Sequence, residues 1–432
     1  MNPRKIVKKL VPSGLFTFIE PYGHLAEAVA FNIKSGFPGR GLKVIGVTGT
    51  NGKTTTTFMI HRMLQEAGFN TGIMTTVAWG AGEDVQSQIH HYTNVPVPEL
   101  MTRLKYMQHK NVDWLVLETT SQALAQHRVF GIKYSLAVLT NVTHEHLDYH
   151  KTFERYRDAK RRMFKLANRN RHGLQVGIIN AEDPSAQLFA EDVQHPLLYG
   201  VERGDLRATD VKLTPSGSSY TAKIDGQSYN IKCYLPGSFN VFNSLAAVGV
   251  GHTLGLTKEQ IEKGIAALKT VEGRMNSINE GQNFDVIVDY AHTPDSFEKL
   301  FKDIKPVVKG KLIVVFGSAG RRDEAKRAVQ GELAGKYADE IVLTEEDDRD
   351  IDGNLILKEI AEGAIKAGKK KDQDLFLILD RPSAISFALK RAKPSDMVMF
   401  LGKGHEKTIE RANGENPWDE IAEVRSALKK LK

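Results

Sequence analysis

Short apolar runs alternate with stretches of helical length from Lys43 onward. Three of these runs, KVIGV, DWLVLE and LAVLTN, each end in a cluster of polar residues. This alternation is typical of an α/β fold with a mainly parallel sheet. Because ligands bind beyond the carboxyl ends of the strands in an open parallel sheet, we expect the three polar clusters to converge on one site.

The pattern changes near residues 205–236, where SYTAKIDGQSYNIKCYL alternates between polar and apolar positions and the turn signals PSGS and DG occur. These features predict a small antiparallel insert, and a helix is predicted from about Phe242. Five further buried-strand candidates follow: DVIVDY, KLIVVFG, EIVLT, LFLILD and MVMFLG. Their helix-length spacers predict a second α/β series, and we place the boundary at Gly273.

The length of 432 residues exceeds what one hydrophobic core usually organises. We therefore predict a short N-terminal segment at residues 1–42, a central domain with a mainly parallel sheet at residues 43–272, and a C-terminal Rossmann-like α/β domain at residues 273–432. The first segment is too short for a sheet with covering helices, so we expect a partly helical appendage.

The composition is that of an ordinary soluble protein, with 41% hydrophobic and 26% charged residues. No apolar stretch approaches the roughly 18 residues that span a bilayer, and the start lacks the features of a signal peptide. The single cysteine, Cys233, agrees with a reducing compartment. Together these observations predict a cytoplasmic protein.

The net charge of +7 is concentrated in residues 1–43 and in a run from Arg155 to Arg171. Such patches suit an anionic partner, which could be a nucleotide-sugar, a membrane surface or nucleic acid, but they are equally typical of solvated helix faces. A nucleic-acid-binding NTPase would need an aromatic stacking platform or a recognised binding motif, and none is apparent. We therefore expect no nucleic-acid partner, and at most a weak membrane contact through Arg4, Lys5, Lys8 and Lys9.

The segment GTNGKTTTT, residues 49–57, lies between a predicted strand and an amphipathic helix. Its glycines let backbone N–H groups approach a triphosphate, and a helix N-terminus adds positive potential. Lys53 can pair with the outer phosphates and Thr54 can ligate magnesium. The strict Walker pattern is not met, because Val47 stands where that pattern has glycine. The segment nevertheless predicts a P-loop ATP-binding site in the central domain.

The chain resembles the Mur ligases, and among them the MurE type, over about residues 43–410. The resemblance is carried by collinear motifs: GVTGTNGKTTTT, LETTSQALAQHRV, TNVTHEHLDYH, YRDAK, LPGSFNVFN, GRM, VDYAHTPD, FGSAGRRDEAKR and GKGHE. A zinc protease is excluded as an explanation of HEHLDYH, because Asp148 stands where the second histidine of that motif would be.

The resemblance implies an ATP- and Mg²⁺-dependent ligase of peptidoglycan precursor synthesis. The carboxylate of UDP-N-acetylmuramoyl-L-Ala-D-Glu would attack the γ-phosphate of ATP to give an acyl phosphate, and the amine of a diamino acid would then displace phosphate. Because this reaction brings anions together, the site needs cations and fixed donors. We expect a monomer that acts on these small-molecule substrates.

The resemblance also implies roles for individual residues. The catalytic group would be Lys53, Lys160, Glu118 and His146. The magnesium ligands would be Thr54, Glu118, His146 and Lys160, the lysine as a carbamate. The ATP contacts would be Gly49, Thr50, Asn51, Gly52, Lys53, Thr54, Thr55, Asn240, Arg274, Asp289 and His292. The substrate contacts would be Thr93, Asn94, Thr120, Gln126, Arg128, Arg322, Arg349, Gly402 and Glu406.

Three departures from the MurE pattern matter for the substrates. The region before the phosphate loop is shortened, the sugar-nucleotide threonines are altered to YTNVPVP, and the loop that usually reads DNPR reads EDDR at residues 346–349. We expect meso-diaminopimelate ahead of L-lysine as the amino acid, since Arg349 is retained. The acidic run at residues 345–348 could instead attract a lysine side chain or be a solvated loop. A folylpolyglutamate-type ligase, a cyanophycin-type ligase and a natural-product peptide ligase remain alternatives.

Overall fold

A computed structural model describes residues 13–88, 93–143, 145–214, 216–321 and 323–431. The chain divides into two compact units. The first comprises Met1–Thr209, Thr221–Ile231 and Phe242–Ala267, and the second comprises Asp210–Tyr220, Lys232–Val241 and Leu268–Lys432. The predicted domain boundaries at residues 42/43 and 272/273 stay predictions. The second unit includes Asp210–Tyr220 and Lys232–Val241, which the sequence analysis assigned to the central domain.

The elements up to the end of the first unit are, in chain order, α1 (Ser13–Ser35), a 3₁₀ helix (Pro38–Gly41), β1 (Val44–Thr48), α2 (Lys53–Glu66), β2 (Thr71–Met74), β3 (Ala78–Ala81), β4 (Asp84–Ser87), α3 (Val97–His109), β5 (Trp114–Glu118), α4 (Ser121–Ala125), β6 (Tyr134–Leu139), α5 (Leu147–His150), α6 (Phe153–Arg169), β7 (Val176–Asn180), α7 (Ala186–Ala190), β8 (His195–Gly200), β9 (Leu206–Thr214), β10 (Gly217–Ile224), β11 (Gln227–Cys233), α8 (Phe239–Thr253) and α9 (Lys258–Ala267).

The strand order of the large sheet is β11-β10-β9-β8-β7-β6-β1-β5-β2-β3-β4. Strand β1 is central, with β5 parallel on one side and β6 parallel on the other. All residues of β1, β5 and β6 are buried, as expected for parallel strands covered on both faces. The loops that follow these three strands therefore leave the sheet at the same edge, as the sequence predicted.

The N-terminal region contributes α1 and the 3₁₀ helix among its described residues. Asn32 on α1 is completely buried and its side-chain amide donates to the carbonyl oxygens of Ala28 and Phe130, at 2.8 and 3.0 Å. The second bond attaches α1 to the loop before β6. Arg4, Lys5, Lys8 and Lys9 lie outside the described residues, so the proposed membrane contact stays a prediction.

The second unit contains β12 (Asn276–Ser277), β13 (Asp285–Asp289), α10 (Pro294–Ile304), a 3₁₀ helix (Lys305–Val307), β14 (Leu312–Phe316), α11 (Ala325–Tyr337), β15 (Glu340–Leu343), α12 (Gly353–Lys366), β16 (Leu375–Leu377), α13 (Arg381–Arg391), β17 (Met397–Leu401), β18 (Thr408–Arg411), β19 (Gly414–Pro417) and α14 (Glu420–Lys429).

Its main sheet has the order β12-β13-β17-β14-β15-β16. The five strands predicted from the sequence all lie in this sheet, and they pair in parallel. One apolar core lies on each face of the sheet: Phe297, Phe301 and Ile360 belong to one core, and Ile385, Leu389 and Val424 to the other. The α/β fold class with two α/β series is therefore confirmed. Among the residues that the structure describes, no helix could cross a membrane.

Candidate active site

The phosphate loop joins β1 to α2, and two glycines determine its path. Gly49 has φ 156° and Gly52 has φ 82°. A Cβ on Gly52 would lie 2.3 Å from Oδ1 of Asn243, so no side chain fits there without movement. Helix α2 begins at Lys53, whose Nζ donates to the Thr50 carbonyl oxygen at 2.8 Å. The first N–H groups of α2 thus adjoin the loop, as anion binding requires.

The loop is fixed by residues that follow β6. The Asn51 N–H donates to Oδ1 of Asn141 at 3.0 Å, and the Asn141 amide donates back to the Asn51 carbonyl oxygen at 3.1 Å. The hydroxyl of Thr140 also donates to Asn51, at 2.6 Å. Asn243, on α8, accepts from the hydroxyl of Thr56 at 3.3 Å. These bonds attach the loop to the residues that follow β6 and to α8.

Glu118 ends β5 and is 1% exposed. Its Oε2 accepts from the Thr54 hydroxyl at 2.9 Å and from the Thr76 N–H at 3.0 Å. The Thr76 hydroxyl lies 3.2 Å from Oε1. Within the described part of the chain, all hydrogen-bond donors to this buried carboxylate are neutral groups. A cation that joined Thr54 and Glu118 would therefore compensate a charge that is costly to bury alone.

Lys160 lies on α6 and is 1% exposed, with its Nζ 2.6 Å from the Gly49 carbonyl oxygen. Burial, and after it the positive charge of Lys53, hold the pKa of Lys160 well below its usual range, although Glu145, Asp183 and Glu118 oppose the shift. A buried amine with a lowered pKa is neutral more often, which is the form that reacts with carbon dioxide.

Tyr156 connects several predicted site residues, and the sequence analysis missed it. Its hydroxyl lies 2.9 Å from Oγ1 of Thr50, and its ring lies 4.4 Å from Nζ of Lys160. The rings of His146 and Tyr156 are 6.1 Å apart. Tyr156 precedes Lys160 by four positions on one helix, so the two share a helix face. That spacing within YRDAK could have identified it.

His146 has φ 56°, an uncommon backbone conformation for a residue other than glycine. Its Nε2 lies 3.9 Å from Oε2 of Glu145. The structure thus brings His146 to the Tyr156 side of the phosphate loop. Among the described residues, no group of three or more His, Cys, Asp and Glu side chains is arranged to hold a metal ion. The predicted magnesium site differs from such a group because it includes a threonine hydroxyl and a modified lysine.

Asn94 organises the residues predicted to contact the dipeptide. Its amide donates to the Glu118 carbonyl oxygen at 2.8 Å, and its Oδ1 accepts from the N–H and the hydroxyl of Thr120, both at 2.9 Å. Arg128 donates to the Asn94 carbonyl oxygen at 2.6 Å. Thr93 bonds to Thr76 through their hydroxyls at 2.7 Å. These residues therefore form one network beside Glu118.

Two other predicted contacts have simpler surroundings. Gln126 is the C-cap of the short helix α4 and is half-buried. Thr55 is 7% exposed, inside the first turn of α2.

In the second unit, Asp289 ends β13 and accepts two backbone N–H groups, from Met275 and Ala291, both at 2.7 Å. Burial raises the pKa of Asp289, while Arg274 opposes the shift. The guanidinium of Arg274 lies over the ring of Tyr290 at 4.6 Å, and the His292 ring is 4.7 Å from the same ring. The structure thus brings Arg274, Asp289 and His292 together, with Tyr290 at the centre. Asn240 also belongs to this unit, and its amide donates to the Pro236 carbonyl oxygen at 2.7 Å.

The residues predicted to bind the amino acid lie at the carboxyl ends of β15 and β17. Arg349 has φ 57°, and its Nε donates to Oε2 of Glu410 at 2.8 Å. Gly402 has φ 99° and directly follows β17. Glu406 pairs with Lys403 at 2.5 Å and accepts from the Tyr290 hydroxyl at 3.1 Å. Arg322 lies outside the described residues.

The fold, the phosphate loop and the buried carboxylate and amine define a class of nucleotide-dependent ligase, and comparison with known proteins identifies it. The description "Mur ligase middle domain" matches residues 47–251, and "Mur ligase, glutamate ligase domain" matches residues 273–404. The chain belongs to the Mur ligase family and is an ATP-dependent ligase. Its relatives confirm the MurE-type resemblance.

Two curated relatives illustrate the similarity. The UDP-N-acetylmuramyl-tripeptide synthetase of Roseiflexus sp. (strain RS-1) is 41% identical over 92% of this chain and 80% of its own length. The UDP-N-acetylmuramoyl-L-alanyl-D-glutamate--2,6-diaminopimelate ligase of Geobacillus thermodenitrificans (strain NG80-2) is 36% identical over 95% of this chain and 84% of its own length.

Two solved structures are similar in fold. A UDP-N-acetylmuramoyl-L-alanyl-D-glutamate--2,6-diaminopimelate ligase aligns with a TM-score of 0.62 at 30% identity, covering 90% of this chain and 79% of its own. The folylpolyglutamate synthase of Mycobacterium tuberculosis aligns with a TM-score of 0.71 at 16% identity, covering 94% and 95%. The second likeness concerns the fold alone.

Proposed function

We propose that this ligase joins a diamino acid to UDP-N-acetylmuramoyl-L-Ala-D-Glu in peptidoglycan precursor synthesis, by way of an acyl phosphate. The names of the relatives support the substrate class, since they describe tripeptide synthetases and 2,6-diaminopimelate ligases. The observation that carries the proposal is the arrangement at the phosphate loop, where a buried carboxylate, Glu118, bonds to Thr54 at 2.9 Å.

This arrangement fits ATP and magnesium. Lys53 and the first N–H groups of α2 would bind the outer phosphates, and Thr54 with Glu118 would hold Mg²⁺. Bound magnesium supplies positive charge that offsets the repulsion between the triphosphate and the attacking carboxylate. Asn141 and Asn243 keep the loop in place, and Asn94 orients Thr120 and Arg128 for the dipeptide.

Lys160 is proposed to act as a carbamate. The reaction of its neutral amine with carbon dioxide forms an N–C bond, releases one proton and leaves a negatively charged carbamate. Its burial and its lowered pKa support this chemistry. His146, on the same side of the loop, would contribute a further ligand. In the second unit, Asn240, Arg274, Asp289 and His292 are proposed to contact the nucleotide, Asp289 at the ribose.

The test is a substrate screen that measures phosphate release. We expect release when ATP, UDP-N-acetylmuramoyl dipeptide and a diamino acid are all present, and a product with one new amide bond by mass spectrometry. DNA and RNA should not stimulate turnover. Release with a folate and glutamate, but none with the muramoyl dipeptide, would contradict the proposal. That outcome would favour the second candidate, a folylpolyglutamate-type ligase, because such a ligase has a similar fold. The cytoplasmic location and the monomeric state stay predictions.

A further inference from the structure

Tyr290 directly follows β13, and residues 402–406 follow the neighbouring strand β17. The two strands pair in parallel up to Asp289 and Leu401, so the residues after them leave the sheet side by side. Gly404 has φ 47°, and a Cβ there would lie 2.7 Å from Cβ of Tyr290. The glycine therefore lets the segment after β17 pack directly against Tyr290.

The hydroxyl of Tyr290 bonds to one oxygen of Glu406. It donates to Oε1 at 3.1 Å, while Oε2 of the same carboxylate pairs with Nζ of Lys403 at 2.5 Å. Lys403 is completely buried and also pairs with Asp347 at 2.8 Å. A carboxylate has about four lone-pair sites, so these two bonds fix its orientation without preventing a further bond to an ammonium group.

Tyr290 is the donor in its bond to Glu406. Burial, and after it the negative charge of Glu406, raise the pKa of Tyr290 well above its usual value, while Arg274 opposes the shift. The phenol therefore keeps its proton at neutral pH. A hydroxyl that donates to an ionised carboxylate makes a charge-assisted bond, which is stronger than a bond between neutral groups.

The ring of Tyr290 contacts a different set of residues. The guanidinium of Arg274 lies over it at 4.6 Å, a distance at which a cation is attracted to the ring face. The rings of His292 and His405 each lie 4.7 Å from it. His405 is 7% exposed, and burial, followed by the charge of Arg274, lowers its pKa to about 3, so it packs as a neutral ring. The ring thus touches two predicted nucleotide contacts, and the hydroxyl touches a predicted amino-acid contact.

We propose that Tyr290 is a positioning residue for both the nucleotide and the incoming amino acid. Its hydroxyl orients Glu406 for an ammonium group of the amino acid, and its ring orients Arg274 and His292 for the nucleotide. This inference rests on the proposed ligase activity. Because the two roles belong to different atoms of one side chain, two substitutions can separate them.

The first variant, Tyr290→Phe, removes the hydroxyl and keeps the ring. We expect KM for the amino acid to rise by about 5-fold or more, with kcat and KM for ATP changed by less than about 2-fold. Tyr337→Phe, on α11 with its ring 5.9 Å from that of Phe301, is the matched control and should change none of these values. An unchanged KM for the amino acid, an equal rise in both KM values or a fall in kcat alone would overturn the role of the hydroxyl.

The second variant, Tyr290→Leu, also removes the ring, and Tyr290→Met replaces it where thermal unfolding shows that the leucine variant does not fold. We expect KM for ATP to rise by about 5-fold or more in addition to KM for the amino acid. An unchanged KM for ATP in a folded variant would overturn the role of the ring.

A crystal structure of Tyr290→Phe tests the positioning without an activity assay. We expect the Glu406 carboxylate to turn toward Lys403, the donor that remains. A carboxylate in its original orientation would overturn the inference and leave the proposed function intact. If the unaltered protein ligates none of the diamino acids, that result contradicts the proposed function, while the crystal structure still decides the positioning.

Discussion

Lys160 is the residue whose chemistry depends most on its surroundings. We expect Lys160→Ala to lose activity by on the order of 100-fold or more, because it removes the group that would become the carbamate. Its burial means that the change also leaves a cavity, so Lys160→Met is the control for packing. Ligation assays with added formate or acetate should restore part of the activity of the alanine variant only. Full activity in Lys160→Met would exclude a carbamate.

Tyr156 is expected to position the phosphate loop. Tyr156→Phe removes the 2.9 Å bond to Thr50 but keeps the ring beside Lys160. We expect KM for ATP to rise, and the free energy of unfolding to fall by about 1 kcal/mol, the usual value of one such bond. Kinetics with varied ATP and denaturant titration measure the two effects. A fall in stability with unchanged ATP kinetics would assign Tyr156 a structural role only.

Asp348 precedes the predicted amino-acid contact Arg349, and we expect its titration to make binding of the amino acid depend on pH. Burial, followed by the charge of Glu345, raises the pKa of Asp348 to about 6, and Glu346 and Asp347 add to the shift. A bound ammonium group favours the ionised carboxylate, so affinity for the amino acid should increase as the pH rises through about 6. Below that value Asp348 is protonated and the attraction weakens.

The measurement is the KM for the amino acid between pH 5 and pH 8, with ATP saturating. Asp348→Asn should flatten this profile, while Glu362→Gln, at an exposed position of α12, should retain it. An identical profile in Asp348→Asn would assign the titration to another group.

At the scale of elements, the two ends of α2 can be compared. Gly52 and Gly68 both have positive φ, at 82° and 93°, but only Gly52 is crowded, since an added Cβ there would meet Asn243 at 2.3 Å. Both alanine variants should lose about 1 kcal/mol of stability through backbone strain. Only Gly52→Ala should also lose ATP binding, measured by calorimetry, because the loop must move. Normal ATP affinity in Gly52→Ala would show that the close contact between Gly52 and Asn243 is not required for ATP binding.

At the scale of the whole molecule, a buried ion pair ties the last helix into the second unit. Arg381 and Glu420 are 0% and 1% exposed, and Glu420 begins α14. Arg381→Met should destabilise the protein by roughly 3–5 kcal/mol, since it leaves a buried carboxylate unpaired.

The control is Arg425→Met, on the same helix as Glu420. It removes a partly exposed pair with Glu280 and should cost at most about 1 kcal/mol. Thermal and denaturant unfolding compare the two variants. Similar losses of stability in Arg381→Met and Arg425→Met would show that burial does not determine the cost of removing an ion pair.

The sequence by itself determined three central strands of the large sheet, the five parallel strands of the second sheet, the phosphate loop and the family. Strand periodicity, glycine positions and motif spacing are local properties, and parallel strands bring their carboxyl ends to one edge whatever the rest of the chain does. For this reason the polar clusters that contain Thr54, Glu118 and Asn141 could be placed at one site from the sequence.

Only the tertiary structure decided which charges are buried and which are paired. The acidic run at residues 345–348 has the composition of a solvated turn, yet the fold buries Glu345, Glu346 and Asp347. It also brings Arg411 to Glu345 and Lys403 to Asp347. Lys160 likewise resembles a surface lysine until α6 packs it under the phosphate loop. Burial and ion pairing depend on residues far apart in the chain, and the cost of an uncompensated charge arises only when the fold removes water.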